Sequence, residues 1–308
     1  MAKKKRADGI RVGILGGGRW GQALARLCIA AGNEPYIAYR DIKPPQMLTS
    51  TKNAPRVAES CDLLLVATSA SETRRAIELA QPGPANRVVL AGRGIDPATG
   101  TWLGEVVQDT CGSIRVGALG GPAPVDEILN GGLCAGVVAS PFEEVRALVV
   151  RALHSSRYRV YESTDLTGVQ LASAFVPVMA VALGLASSLR GSGVGMEAMV
   201  LSRGLEEASR LGRACGGDSS TVFGLAGIGD LVSVQARAGS PYFEAGRQLA
   251  SGKRELPALR IARALLRRAA EHRVELPITE ALVAMDDGSD PLDVVVELMA
   301  RASTVEHR

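Results

Sequence analysis

The chain has 308 residues, of which 46% are hydrophobic and 22% charged, and its formal net charge is +3. This length allows two domains with separate cores, and so small a charge gives no support to a nucleic-acid partner. The basic run at 3–6 is predicted to lie in a frayed tail over 1–9, without the apolar segment of a secretory signal. Five scattered cysteines without a CxxC pair predict neither a zinc site nor a disulfide framework, and they fit a reducing, cytoplasmic compartment.

Residues 10–32 carry a glycine turn between a predicted strand and a predicted helix. Gly16, Gly18 and Gly21 follow a short apolar run at GxGxxG spacing, and apolar residues then recur at helical intervals up to Gly32. In such a turn the first glycine allows a tight bend, the second lets the backbone approach a pyrophosphate, and the third lets helix and strand pack closely. The helix N-terminus offers its free N–H groups to the anion. The order of strand, turn and helix therefore favours dinucleotide binding over an ordinary structural turn.

The first half of the chain contains further predicted strands whose apolar character is continuous rather than alternating. They cover 34–39, 62–67, 87–91, 114–119 and 135–139, and helices are predicted at 71–80 and 142–153. Continuous apolar strands are typical of a parallel sheet that helices cover on both faces. We therefore predict an α/β domain over 10–160, built on a doubly wound parallel sheet.

The second half is predicted to form an all-α domain over 163–303. Its predicted helices cover 167–189, 195–213, 240–251, 257–272, 277–287 and 291–302. The segment 166–189 has no charged residue and is long enough to cross a bilayer. Gln170, Pro177 and several small polar residues within it favour a buried helix of a soluble domain, so no membrane partner is expected.

The residues at the end of the second predicted strand, Tyr39-Arg40-Asp41, bear on the choice of cofactor. An acidic residue at this place binds the ribose 2′-hydroxyl of NAD, whereas an arginine can pair with the 2′-phosphate of NADP. Arg40 favours NADP, and Asp41 keeps NAD open. The predicted cofactor is therefore NADP or NAD. The alternative is that Arg40 is an ordinary surface charge with no role in cofactor binding.

Five segments occur in an order that matches one known family. They are Gly16-Gly-Gly-Arg-Trp-Gly-Gln-Ala-Leu-Ala, Gly121-Pro122 with Asp126-Glu-Ile, the helix from Arg203 to Asp218, Phe223-Gly-Leu-Ala-Gly-Ile-Gly-Asp-Leu231, and Glu275-Leu-Pro-Ile-Thr-Glu280. Together they resemble the bacterial NAD(P)-dependent glycerol-3-phosphate dehydrogenases over nearly the whole chain. The resemblance implies a Rossmann-type domain followed by an all-α substrate domain, and hydride exchange between nicotinamide and carbon 2 of glycerol 3-phosphate. It also implies that Gly16, Gly18, Arg19, Trp20 and Gly21 bind the cofactor.

The sequence departs from the family where the chemistry would lie. Val176 and Pro177 stand where the family has the Lys-Asn of its GVELxxALKN helix, and valine can neither accept a proton nor stabilise an oxyanion. Arg93 replaces a second family lysine and is predicted to lie at the cofactor, where it can hold an anion but cannot act as a base. Pro241 and Tyr242 replace the Arg-Asn of the family's phosphate-binding Ser-Arg-Asn.

The predicted catalytic residues are those that remain or are new at this site. No lysine occurs between Lys52 and Lys253 to replace the missing ammonium group. The predicted catalytic residues are therefore Asp230, which in the family stands beside the lysine, and Tyr242, which is a new hydroxyl at this site. The alternative for Asp230 is that it caps the next helix.

Three functions stay open from the sequence. The first is the family's dehydrogenase activity on glycerol 3-phosphate and dihydroxyacetone phosphate. The second is a catalytically impaired paralogue that binds NAD(P) as a sensor or partner-binding protein, and the third is a dehydrogenase with a non-phosphorylated substrate. We expect a small-molecule substrate and no metal, and a homodimer is compatible with the helical domain, although no residue pattern fixes it.

Overall fold

The computed structural model describes residues 9–122, 124–235 and 239–300. The predicted basic tail, apart from Gly9, lies outside the described residues. Within them, the chain forms a sheet with helices on both faces, followed by a helical unit.

The sheet has eight strands in the order β3-β2-β1-β4-β5-β6-β7-β8 within the described chain. They are β1 (Arg11–Leu15), β2 (Glu34–Ala38), β3 (Ser50–Thr51), β4 (Leu63–Val66), β5 (Arg87–Leu90), β6 (Val116–Gly120), β7 (Cys134–Ala139) and β8 (Tyr158–Ser163). Neighbouring strands run parallel except β6 and β7, which pair antiparallel. The predicted doubly wound sheet is confirmed. Its single reversal was not predicted, because apolar character does not encode strand direction.

Helices cover both faces of this sheet, as the continuous apolar strands predicted. They are α1 (Arg19–Ala30), α2 (Ala54–Ser60), α3 (Thr73–Ala80), α4 (Leu103–Cys111), α5 (Val125–Leu129) and α6 (Glu143–Leu153). Leu63 and Leu65 of β4 belong to the core that includes α1 and α6, whereas Leu64 belongs to the core that includes α2, α3 and α4. All three leucines are fully buried, so consecutive side chains of one strand fill opposite faces.

The helical unit is built around one central helix. Its members are α7 (Leu166–Ala186), α8 (Val194–Ala214), α9 (Pro241–Ala250), α10 (Arg260–His272), α11 (Pro277–Asp286) and α12 (Pro291–Met299). Helix α7, which includes Pro177, is long and apolar enough to cross a membrane. Its apolar stretch, however, is entirely buried inside the protein. It is therefore the core helix that the sequence predicted. Between α8 and α9 the chain makes two π-helical segments, Leu225–Gly229 and Leu231–Gln235.

The topology opens a crevice at the carboxyl end of β1. This strand lies between β2 and β4, so the winding of the chain changes direction there. Leu15 is in register with Ala38 on one side and Val66 on the other. The N–H of Gly16 donates to the Ala38 carbonyl at 2.9 Å, which places the glycine turn at the crevice.

Candidate functional site

The glycine turn has the backbone geometry that its spacing predicted. Gly16 has φ +128°, and a Cβ there would lie 2.6 Å from the carbonyl oxygen of Ala67. A Cβ at Gly21 would overlap the carbonyl oxygen of Gly16, so the first turn of α1 can lie against β1 only with glycine there. Gly18 is the N-cap of α1, has no side-chain cap and has open space around its Cα. The N–H groups at the start of α1 are therefore accessible to an anion.

One side of this turn opens into a cavity of about 880 Å³, which we call the outer cavity. Gly16, Gly18 and Arg40 are among its lining residues. The Nε of Arg40 donates to Asp41 at 2.6 Å, and its Nη1 donates to Glu72, also at 2.6 Å. The predicted cofactor-selecting arginine thus lies where the sequence placed it, but two carboxylates already hold it.

A second cavity of about 460 Å³, the inner cavity, lies where the helical unit meets the sheet. Arg93 and Ser173 enter it from a loop after β5 and from α7, and Asp230, Tyr242 and Arg260 enter it from the elements that follow α8. Trp20 also lines it, and its indole N–H donates to the Ala91 carbonyl at 2.8 Å. The inner cavity thus combines residues from both halves of the chain.

Arg93 and Asp230 form an ion pair in the inner cavity. The Nη1 of Arg93 lies 2.5 Å from the Oδ2 of Asp230, and the two side chains are 24% and 5% exposed. Burial opposes the charge of Arg93, but the negative charge of Asp230, the proximity of Tyr242 and the hydrogen bond to Asp230 raise its pKa above the usual value. The arginine therefore keeps its positive charge beside the carboxylate. Within the described part of the chain, the Asp230 carboxylate is bonded to this arginine.

Two tyrosines line the inner cavity. Tyr242 lies in the first turn of α9 and lines the inner cavity together with Arg93. Tyr158 lies on β8 with its side chain almost fully buried, and burial, followed by the proximity of Cys134 and Asp230, raises its pKa. A buried phenol of this kind stays protonated and can donate a hydrogen bond. Of the two, the sequence singled out only Tyr242.

Val176 lies away from the inner cavity, although it stands where the family has the lysine of its GVELxxALKN helix. Its side chain is 2% exposed and belongs to the core of the helical unit. With Gly227 and Leu231 it lines a gap of only about 10 Å³. Ser173, one helical turn earlier on α7, lines the inner cavity instead, and its hydroxyl lies 3.4 Å from the Gly92 carbonyl.

Thr68 connects the two cavities. It follows β4 at the carboxyl edge of the sheet and lines both of them. Its Oγ1 is buried and has no hydrogen-bond partner among the described residues. A buried hydroxyl without a partner is costly, so a polar ligand passing from one cavity to the other would satisfy it. The open α1 N-terminus and this hydroxyl fit an elongated anionic ligand such as a dinucleotide.

The predicted cofactor residues divide into those that line the cavities and those that shape them. Gly16, Gly18 and Arg40 line the outer cavity, and Trp20 and Arg93 line the inner one. Gly21 acts through the packing of α1. Arg19 pairs with Asp126 on the protein surface. Gly21 and Arg19 are not among the described residues that line the outer or the inner cavity.

Tyr158, Ser173, Arg260 and Thr68 line the site but were missed in the sequence. Only Thr68 carried a local indication, since it directly follows a buried parallel strand. The other three come from β8, α7 and α10, which are distant from the glycine turn in sequence.

The doubly wound sheet, the glycine turn at its crevice and a second polar cavity beside it define a dinucleotide-dependent oxidoreductase fold. Comparison with known proteins identifies the family. The family model described as NAD-dependent glycerol-3-phosphate dehydrogenase N-terminus matches residues 33–146, and the C-terminus model of that family matches residues 165–297. The chain belongs to the NAD-dependent glycerol-3-phosphate dehydrogenase family, an oxidoreductase family that implies NAD(P) as the cofactor.

Individual relatives agree with this assignment. The chain is 35% identical to a glycerol-3-phosphate dehydrogenase (NAD(P)+) from Halorhodospira halophila, over 96% of this chain and 98% of that protein. It is 31% identical to the protein of that name from Bradyrhizobium diazoefficiens, over 93% of this chain and 95% of the relative. Among solved structures, glycerol-3-phosphate dehydrogenase from Coxiella burnetii has the same fold, with a TM-score of 0.84 and 24% identity over 95% of this chain and 99% of that one.

Proposed function

We propose that this chain interconverts a ketone and a secondary alcohol with NAD(P), and that its substrate pair is dihydroxyacetone phosphate and glycerol 3-phosphate. The family membership supports the reaction class. The observation that carries the catalytic assignment is the Arg93–Asp230 pair, at 2.5 Å, in a cavity that Tyr242 also lines. Bound NAD(P) supplies or accepts the hydride.

The cofactor would be held by the glycine turn and its surroundings. The N–H groups at the start of α1, beyond Gly18, would bind the pyrophosphate, and the unpartnered Oγ1 of Thr68 would donate to the part of the cofactor that enters the inner cavity. Trp20, fixed by its hydrogen bond to Ala91, supplies a rigid aromatic wall there.

Arg93 is the group proposed to stabilise charge on the substrate. A guanidinium has several N–H donors in a fixed plane, so Arg93 can donate to the substrate oxygen while it remains paired with Asp230. That donation favours the developing alkoxide during ketone reduction. Arginine does not release its proton, so a different group must supply the proton at that oxygen.

Tyr242 is the proposed proton donor in the reduction direction and, as phenolate, the acceptor in the reverse direction. Its phenol lies in the same cavity as Arg93 and can give its proton to the oxygen that Arg93 stabilises. Asp230 is then a positioning residue, because it orients the guanidinium of Arg93. At the rim, the exposed guanidinium of Arg260 can bind the anionic end of the substrate.

A second candidate function is NAD(P) binding without turnover. The replacement of the family's lysine by the core residue Val176 favours it, because no lysine lines the inner cavity among the described residues and none occurs between Lys52 and Lys253. In that case the chain would act as a sensor or partner-binding protein.

Cytoplasmic location and a homodimer also stay predictions, which cell fractionation and analytical ultracentrifugation would test.

The experiment is a titration of the purified protein with NADPH and NADH, followed by nicotinamide fluorescence, before and after addition of dihydroxyacetone phosphate. Binding followed by cofactor oxidation supports the proposed reaction, whereas binding without oxidation supports the second candidate. Failure of both cofactors to bind would overturn the assignment of the glycine turn.

Variants then test the proton donor. Tyr242→Phe should lower turnover about 100-fold with little change in cofactor affinity, since general acid catalysis contributes on this scale. The matched control is Tyr161→Phe, at an exposed tyrosine of β8 outside both cavities, which should retain the wild-type rate. Equal rates in the wild type and Tyr242→Phe would remove Tyr242 from the mechanism.

A further inference from the structure

The outer cavity contains a three-residue charge cluster that bridges two strand ends. Arg40 and Asp41 follow β2, whereas Glu72 ends the 3-10 turn Ala70–Glu72 after β4. Asp41 accepts from Nε of Arg40 and Glu72 accepts from Nη1, each at 2.6 Å. The hydrogen bond to Asp41, and then that to Glu72, raises the pKa of Arg40 above its ordinary value. Two carboxylates thus compete with any ligand for one guanidinium.

The two carboxylates differ in what they do to the arginine. Asp41 is the next residue in the chain and moves with the backbone of Arg40. Glu72 comes from a separate loop, 32 residues away, and its bond directs Nη1 of Arg40 toward that loop. Glu72 therefore determines whether this part of the guanidinium is available to a ligand in the outer cavity.

The two forms of the cofactor place different groups at this end of a dinucleotide site. NAD has a ribose 2′-hydroxyl, which can donate a hydrogen bond to a carboxylate, whereas NADP has a 2′-phosphate, which needs cationic donors. A phosphate that pairs with Nη1 of Arg40 would have to displace Glu72, and a phosphate at any other part of this guanidinium would lie close to the Glu72 carboxylate. The other cations that line the cavity, Lys52 and Arg75, are exposed and can attract either form.

We propose that Glu72, by its ion pair with Arg40, is a specificity-determining residue that disfavours NADP relative to NAD. This inference rests on the proposed NAD(P)-dependent function, but not on catalysis. The side chains of Arg40 and Glu72 are 52% and 41% exposed, so their replacement does not open the core.

The test measures the dissociation constants of NADPH and NADH by fluorescence titration for the wild type and Glu72→Gln, at one fixed ionic strength. Glu72→Gln should bind NADPH about tenfold more tightly, because Arg40 becomes available to the phosphate, and NADH within about twofold of the wild type. The double variant Arg40→Met/Glu72→Gln should lose the gain for NADPH.

The matched control is Glu78→Gln, which removes the same charge from an exposed position of α3 outside the outer cavity. It should leave the ratio of the two constants unchanged. The inference is wrong if Glu72→Gln keeps the wild-type ratio, or if Glu78→Gln shifts that ratio equally, which would indicate a general charge effect. Failure of the wild type to bind either cofactor would overturn the proposed function as well, whereas binding with an unchanged ratio would overturn only this inference.

Discussion

The two ends of the crevice each contain an arginine–carboxylate pair, and the pairs differ in burial. The Arg40–Glu72 pair in the outer cavity is about half exposed, whereas the Arg93–Asp230 pair in the inner cavity is 24% and 5% exposed. Water solvates the charges of an exposed pair, so a ligand can rearrange it at little cost. A buried pair cannot be separated without leaving a charge in a poor solvent. The outer pair can therefore respond to a ligand, while the inner pair is part of the fold.

The strongest test of this comparison is Arg93→Met. The substitution leaves the Asp230 carboxylate buried without its cation, and removal of one partner of a buried pair costs about 3–5 kcal/mol of unfolding free energy. Urea unfolding followed by circular dichroism measures the loss. The control is Arg11→Met, which breaks the exposed pair with Asp62 and should not measurably change the unfolding midpoint. Similar losses in the two variants would contradict the distinction between the inner pair and surface pairs.

A buried carboxylate that backbone N–H groups hold sharpens the comparison. Glu207 of α8 accepts hydrogen bonds from the N–H groups of Ile278 and Thr279 at the start of α11, at 2.5 and 3.3 Å. Burial is the largest cause that raises its pKa from 4.5 to about 7, and these hydrogen bonds only partly oppose it.

Because the folded protein binds this proton more tightly than the unfolded chain, the resulting stability is full below about pH 4.5 and is lost as pH rises to about 7. The expected loss is about 3 kcal/mol. Denaturant unfolding at several pH values should show it in the wild type but not in Glu207→Gln. Glu206→Gln, which changes the neighbouring carboxyl, should keep the wild-type dependence. A slope that persists in Glu207→Gln would have to come from other groups.

The glycine turn offers a contrast that involves backbone rather than charge. Gly21→Ala places a methyl group against the carbonyl oxygen of Gly16 and should lower the unfolding free energy by about 1–3 kcal/mol. Gly18→Ala meets no atom within 4 Å and should leave stability nearly unchanged, but its methyl group should weaken cofactor binding at the α1 N-terminus. Thermal unfolding and NADPH titration of both variants separate these effects. Equal destabilisation would show that the two glycines are not distinguished by packing.

The smallest effect on stability is expected for Arg40→Met. Since the pair with Glu72 is solvent-exposed, the unfolding midpoint should stay within experimental error of the wild type. The change should instead appear in the ratio of NADPH to NADH affinity. A clear fall in the midpoint would mean that the outer pair supports the fold, and the comparison between the two ends of the crevice would fail.

Local chain chemistry was enough to predict the doubly wound sheet, the glycine turn and the buried helix α7. Strands with continuous apolar character must be covered on both faces, and a GxGxxG turn needs glycines at Gly16 and Gly21 because neighbouring backbone atoms leave no room for a side chain. The position of Arg40 beside the crevice follows from the same rules, since the residues after β2 lie at the carboxyl edge of the sheet.

Tertiary structure decided how these parts combine. Arg93 and Asp230 lie 137 residues apart in the chain, and neither side chain carries a local pattern that specifies the other. The occupation of Arg40 by Glu72, the burial of Val176 away from the inner cavity and the approach of Tyr158 to the site also depend on packing between elements distant in sequence. Periodicity and turn chemistry act over a few residues, whereas burial and charge pairing are set by the folded chain, so the sequence determined the scaffold and the tertiary structure determined which charges meet within it.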